Sequence, residues 1–272
     1  MGGPRRPFTS IAGYGLARGL PPGSRHTAQT PLRFPLRHKP IYSESEWNGS
    51  RYVKTGGTDA RKGPRQEPTI EIEIEGNAPV TATVDTGNSS PLLLSAAYAD
   101  EVGLLSRNSS TSLSATASGL STNRLVTVNR VRMGHLAATD VPTEIYATWT
   151  ANGSPANIGM PMLAGRRLVF DFGQDRLWRS PSTAVPLRRD RSGLGITVKP
   201  DRLVVVHVAY GSPAQAAGWR LDEQIIEVNG QRVGPSYNSG DLWRWRFQPA
   251  GTGVDLKLAD GAVRYLRLGE YY

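Results

Sequence analysis

Cysteine is absent from the 272 residues of this chain. That absence removes disulfides, thiolate metal sites and a cysteine nucleophile together, and it leaves the compartment open. No run approaches the roughly 18 to 20 consecutive apolar residues that a membrane-spanning helix needs. Histidine is scarce as well. His26, His38, His135 and His207 are scattered without metal-ligand spacing, so no metal is expected. Neither a Gly-x-x-x-x-Gly-Lys-[Ser/Thr] phosphate loop nor a dinucleotide fingerprint occurs, and no cofactor is expected. What the chain has in quantity is glycine (30) and proline (20), which favour turns and short strands over long helices.

The formal charge of +9 suggests nucleic acid until it is mapped. Residues 1–68 hold 12 of the 32 basic side chains and only four of the 23 acidic ones. The other 204 residues are nearly neutral, with 20 basic against 19 acidic. The excess therefore lies in a Pro-, Gly-, Arg- and Ser-dense leader without helix or strand periodicity, read as unstructured and solvated, and no nucleic acid partner is expected. Arg5 and Arg6 are not followed by an apolar segment, so no signal peptide is visible.

Regular patterning begins at Thr69. Ile70, Ile72 and Ile74 alternate with Glu71, Glu73 and Glu75, as a strand with one wet face requires. Gly76-Asn77 supplies a turn, and Val80–Val84 returns as a strand that runs into Asp85. Ser95 is placed to cap a short helix over 96–102, with Gly103 to end it. Residues 105–123 are Ser-, Thr- and Asn-rich and suit a mobile hairpin or loop. Strands are expected again at 125–133, 141–146, 168–172 and 176–178, with a helical turn near Pro161. The domains are thus 1–68, a basic leader; 69–180, a small β domain; 181–191, a Pro- and Arg-containing linker; and 192–272, a second β-rich unit.

The order of Val84-Asp85-Thr86-Gly87, then Ile158-Gly159 some 70 residues later, then Leu163 and Val169-Phe170-Asp171-Phe172, resembles the retropepsin-like aspartic proteases. The resemblance spans roughly residues 69–180 and implies a small closed β-barrel lobe. In that chemistry two carboxylates share one proton, one acting as base on water and the other as acid toward the amide. Asp85 is the expected catalytic carboxylate, Gly87 permits the tight turn that presents it, and the resemblance gives Thr86 the role of bracing paired loops. Ile158 and Gly159 would support the catalytic loop from beneath, and Gly119 would lie in a flap over the peptide. One lobe provides one such Asp. Asp59, in Gly-Thr-Asp-Ala with no apolar strand before it, is a poor second loop, so the resemblance implies a homodimer acting on a polypeptide substrate. Asn88 departs from the pattern, where Ala or Ser is usual, and the flap glycine pattern is faint.

Two other readings compete. Gly87-Asn88-Ser89-Ser90-Pro91-Leu92 is similar to the nucleophile loop of trypsin-like serine proteases. Such a nucleophile needs an upstream His and Asp, and only His26 and His38 precede it. The 84 residues before Asp85 also cannot build the missing barrel. The other is a non-catalytic scaffold, in which the lobe serves dimerisation or peptide binding and the C-terminal unit does the work.

Residues 191–270 carry an ordered series: Arg191-Ser-Gly-Leu-Gly-Ile196, a buried strand at 203–208, Gly211-Ser-Pro-Ala-Gln-Ala-Ala-Gly218 as a capped helix, and Glu223–Gly230 as a strand with its turn. This resembles a bacterial-type PDZ domain, a β-sandwich or partial barrel with two short helices. The resemblance implies that Gly193, Leu194, Gly195 and Ile196 form a carboxylate-binding loop. A peptide C-terminus or extended segment would then pair along 196–199. A second helix is expected near 239–247, with Trp243 or Trp245 lining the groove. The protein as a whole is expected to be mainly β. Relatives with this pairing of domains often work outside the cytoplasm, which is the only pointer to a compartment.

Overall fold

The computed structural model describes residues 53–54, 61–62, 68–116, 119–134, 136–149, 154–164, 168–171, 176–179 and 186–272. The isoleucine alternation sets β3 (Pro68–Ile74), in which Ile70, Ile72 and Ile74 are buried while the glutamates face outward. It pairs antiparallel with β4 (Val80–Asp85) through the turn at Glu75–Gly76. After the loop at 86–91 come β5 (Leu92–Ser95) and helix α1 (Ala96–Glu101). Ser95 caps the helix, its Oγ accepting from the Tyr98 N–H at 3.3 Å. A 3-10 turn (Leu104–Ser106) leads into β6 (Ser109–Thr116), β7 (Gly119–Met133) and β8 (Leu136–Tyr146). Then follow β9 (Ala156–Gly159) and helix α2 (Met160–Leu163).

Neighbouring strands run in the order β3, β4, β9, β5, β8, β7, β6, and β3 also pairs with β7 through Glu73↔Arg132 and Ile74↔Val131. That last pairing closes the first six of these strands into a barrel, which leaves the ring no free edge to aggregate. Its interior is aliphatic: Ile72, Ile74, Leu92, Leu94, Val126, Val128, Val131 and Ile158 are at most 1% exposed. Each such side chain contributes about 1.5–3 kcal/mol relative to an exposed one.

Two short strands fall inside the segment expected to lack structure. In β1 (Val53–Lys54) the partner is β11 (Arg176–Arg179), which also pairs with β10 (Leu168–Asp171). In β2 (Arg61–Lys62) the partner is the start of β3. The rest of the expected leader, residues 1–52, 55–60 and 63–67, lies outside the described residues.

The C-terminal unit has its own core and a sheet in the order β12 (Leu194–Val198), β13 (Leu203–Val208), β14 (Gln224–Val228), β16 (Gly253–Leu258), β17 (Val263–Arg267), with β15 (Gln231–Arg232) beside β14. Helix α3 (Pro213–Ala216) is capped by Ser212, whose Oγ accepts from the Gln215 N–H at 3.2 Å. The expected second helix is a 3-10 helix, Leu242–Phe247. The protein is therefore mainly β, with two cored units and few short helices. No described helix is long and apolar enough to cross a membrane.

Of the segment expected to be a linker, residues 181–185 lie outside the described residues, and 186–191 make contacts with both units. Leu187 packs on the barrel core and the Arg188 guanidinium lies 4.6 Å from the Trp243 ring centre. Arg189 donates to Thr127 Oγ1 in β7 at 2.7 Å and to the Tyr272 carbonyl oxygen at 2.6 Å. Leu125 of β7, Ala209 and Tyr271 form a small apolar cluster between the units. Beside it, Ser110 Oγ donates to the Tyr210 carbonyl, and Thr111 Oγ1 lies 3.0 Å from His207 Nε2.

Candidate active site

Asp85 is the last residue of β4, where the strand leaves the barrel and turns sharply. The Gly87 N–H donates to Asp85 Oδ1 at 2.8 Å, and the Asn88 N–H donates to the Asp85 carbonyl at 3.2 Å, which closes the turn. On the other side Asn157 Nδ2 donates to Asp85 Oδ2 at 3.4 Å. Both carboxylate oxygens are thus directed, and the half-buried carboxylate sits between exposed Thr86–Gly87 and the barrel interior.

β9 is what places Ile158 and Gly159 here. It inserts between β4, with which it runs parallel, and β5, with which it runs antiparallel, so that Asp85 lies opposite Gly159. The loop after Asp85 folds down onto β9. The Gly159 N–H donates to the Pro91 carbonyl at 3.1 Å, and the Met160 N–H donates to the Asn88 carbonyl at 2.9 Å. A Cβ on residue 159 would lie 2.0 Å from the Ser90 carbonyl oxygen and 2.7 Å from that of Asn88, so only glycine fits. Ile158 is fully buried beneath the loop.

Asn88, the departure from the family pattern, is the hub of this loop. Its Oδ1 accepts from the Ser90 N–H at 2.8 Å, and its Nδ2 donates to Asn157 Oδ1 at 2.8 Å. A chain of polar contacts therefore runs from Ser90 through Asn88 and Asn157 to Asp85. Asn157 was not singled out from the sequence. Its part depends on the parallel β4–β9 register, which pairs residues more than 70 positions apart.

A second residue that sequence reasoning passed over is Glu144 in β8. Its Oε1 accepts from Ser90 Oγ at 2.5 Å. Its Oε2 accepts from Ser114 Oγ in β6, from Asn123 Nδ2 in β7 at 3.3 Å, and from the Tyr146 hydroxyl at 3.5 Å. Burial, with the Glu144 charge as a smaller contribution, pushes the Tyr146 phenol up from its usual range.

The Ser- and Thr-rich segment expected as a hairpin or loop is a regular hairpin, β6 paired with β7 from Ser109↔Val126 to Thr116↔Gly119. Gly119 lies at its tip, followed by exposed Leu120.

In the C-terminal unit, Gly193 and Leu194 are buried and Ile196 is partly buried. Gly193 has φ +75°, and a Cβ there would meet the Ser212 side chain at 2.1 Å. The amides of this loop are partly engaged by the chain itself. The Ser192 and Gly193 N–H groups donate to Asp190 Oδ1 at 2.7 and 3.3 Å, and the Leu194 N–H donates to Ser192 Oγ at 3.1 Å. Arg246 pairs with Asp190 and donates to the Leu194 carbonyl. Gly195 and Ile196 lie in β12, which has β13 on one side and, among the described strands, ends the sheet on the other. Of the two tryptophans expected at the groove, Trp245 is a core residue whose Nε1 donates to the Tyr237 hydroxyl at 3.0 Å. Trp243 is partly buried and stacks edge-on with Phe247.

Three solved structures show local likeness. A retropepsin-like aspartic protease from Rickettsia conorii has 20% identity, with 47% of this chain and 97% of that chain covered and a TM-score of 0.36. The HtrA-type protease AlgW with decapeptide has 11% identity, covers 76% of this chain and 73% of its own, and gives a TM-score of 0.28. A variant of the same protease with decapeptide has 10% identity, 74% coverage of each chain and a TM-score of 0.29. No curated protein matches the chain. Residues 70–162, the segment that builds the barrel and carries Asp85, match the aspartyl protease family model.

Proposed function

We propose that this chain is an aspartic endopeptidase whose dyad is completed by Asp85 of a second copy. The observation that carries the reading is the Asp85 carboxylate itself. It is held at a sharp turn by Gly87 N–H on one oxygen and Asn157 on the other, within the segment matching the aspartyl protease family. One such carboxylate activates no water alone; two a few ångströms apart share a proton and divide the roles of base and acid. The surroundings favour a facing copy. Thr86 is exposed, Met160 beside the loop is 42% exposed, and Leu120 at the hairpin tip is 69% exposed.

In the reaction a water between the two Asp85 side chains gives a proton to the ionised carboxylate as its oxygen bonds to the peptide carbonyl carbon. The protonated carboxyl passes its proton to the carbonyl oxygen, forming a gem-diol. Collapse of that diol breaks the C–N bond as the protonated carboxyl gives its proton to the departing amine and the other carboxylate takes one from a diol hydroxyl, which restores the shared proton. Hairpin β6–β7 excludes water while this proceeds.

For residues 192–272 we infer a PDZ-type module that takes an extended peptide along β12. Support comes from the position of β12 at the end of the sheet that the described strands form, the edge to which an added strand would pair. Gly195 and Ile196 would supply its amides, since the Leu194 N–H is turned to Ser192.

The test of the catalytic reading is peptide cleavage by wild type and Asp85→Asn from acidic to neutral pH, with and without a statine-type inhibitor. Cleavage that is inhibited in the wild type and lost in the variant is expected; equal activity in both defeats the mechanism. For the C-terminal unit, calorimetry with a peptide and its C-terminally amidated form separates the modes. Binding by both indicates strand addition along β12, loss on amidation indicates a terminal-carboxylate site, and no binding by either form removes the module from peptide recognition.

A further inference from the structure

We propose that Glu144 is a positioning residue that clasps the β6–β7 hairpin to the loop following Asp85. The two oxygens of its carboxylate are divided between two elements. Oε1 takes Ser90, five residues after Asp85 in the loop that packs on Gly159. Oε2 takes Ser114 and Asn123, which stand on the two strands of the hairpin that ends at Gly119. Its four donors, Ser90, Ser114, Asn123 and Tyr146, are uncharged side chains, so among the described residues the carboxylate is not half of an ion pair.

The residue type suits the task. A carboxylate only accepts, and with two oxygens it satisfies donors from both sides at once. A glutamine of the same shape offers one oxygen and one NH2, so one of the two facing serines must reverse its hydroxyl. Hydrogen bonds to a charged acceptor are also stronger than neutral ones. Glu144 is fixed in turn by β8, which pairs with β5 on one side and β7 on the other, so it stands on the rigid barrel wall between the parts it joins. Nothing else described ties the outer half of the hairpin to the Asp85 loop through one group. Deeper down, Ser110 and Thr111 hold the hairpin base to the C-terminal unit.

The functional consequence rests on the proteolytic reading, because a hairpin anchored to the Asp85 loop closes over peptide in register with the carboxylate. Releasing the clasp leaves chemistry at Asp85 in place but makes closure costlier. KM should therefore rise by about tenfold in Glu144→Ala, with a smaller change in kcat. Hydrogen exchange should quicken across residues 110–124 and stay unchanged in 203–228.

Two serine variants give the signature that a merely structural role lacks. Ser90→Ala opens the loop side of a connection in series, and Ser114→Ala weakens the hairpin side, where Asn123 remains. The double variant should then match the worse single variant in KM and in hairpin exchange, and Glu144→Gln should fall between wild type and Glu144→Ala. Additive serine effects, or unchanged hairpin exchange in Glu144→Ala, overturn the proposal. The exchange arm needs no substrate. If the wild type cleaves no peptide, the catalytic reading fails while exchange still decides the clasp.

Discussion

Gly159 shows how tightly the candidate site is built. The carbonyl oxygens of Ser90 and Asn88 occupy the space a side chain would need, and the loop is held there by the Gly159 N–H on the Pro91 carbonyl and the Met160 N–H on that of Asn88. Gly159→Ala should therefore destabilise the barrel by about 1–3 kcal/mol through overpacking and displace the loop, as measured by denaturant unfolding. A variant of wild-type stability would mean that the loop yields freely and does not fix Asp85. Asn157 is a milder case. Asn157→Leu keeps the branching and heavy-atom count but removes the donor to Asp85 Oδ2 and the acceptor of Asn88 Nδ2. It should lower kcat more than it raises KM, because the group it orients takes part in the reaction and not in binding. The reverse pattern would place Asn157 with the substrate instead.

At the level of elements, short helices depend on their caps, since a helix of six residues has few internal bonds to lose. Ser95→Ala removes the side-chain acceptor of the Tyr98 N–H and should cost about 1 kcal/mol in a denaturant titration. No change would show that packing of Tyr98 and Ala99 alone holds α1. The elements also show what the sequence made legible. The alternation in β3, the cap at Ser95, Asp85 ending its strand and the capped turn at Ser212 all rest on local chemistry, and each stands where that chemistry puts it. Residues 105–123 read as a hairpin or loop because serine and threonine supply no apolar alternation, and from Ser109 onward the segment is a strand pair. It holds as regular strands because its ladder is complete to Thr116↔Gly119 and because Glu144 receives its polar side chains. Asn157 and Glu144 stayed hidden for the same reason. Each acts across a strand register between residues 54 to 72 positions apart, and no local pattern encodes that register.

For the whole molecule the seam between the two units is the distinctive part. The segment read as a linker supplies Arg189, which reaches β7 and Tyr272 together, and its ring contact with Tyr272 adds a cation–π attraction at 4.3 Å. Burial pushes the Tyr271 phenol well above its usual range and that of Tyr272 up to about 12. The folded state thus disfavours the phenolate. Stability from these groups is full below the unfolded value of 10.0, and it is lost as pH rises from there through the folded value near 12. Melting temperature should accordingly fall between pH 10 and 12, and less steeply in Tyr271→Phe than in wild type. Parallel curves for the two proteins would remove Tyr271 from the alkaline transition.

The central claim is that cleavage needs Asp85 from two chains. Its most direct test is the rate of peptide cleavage by co-expressed mixtures of wild-type and Asp85→Asn chains at fixed total concentration. The account predicts a rate that falls as the square of the wild-type fraction and reaches zero for the pure variant. A rate proportional to the wild-type fraction, or a fully active pure variant, contradicts it.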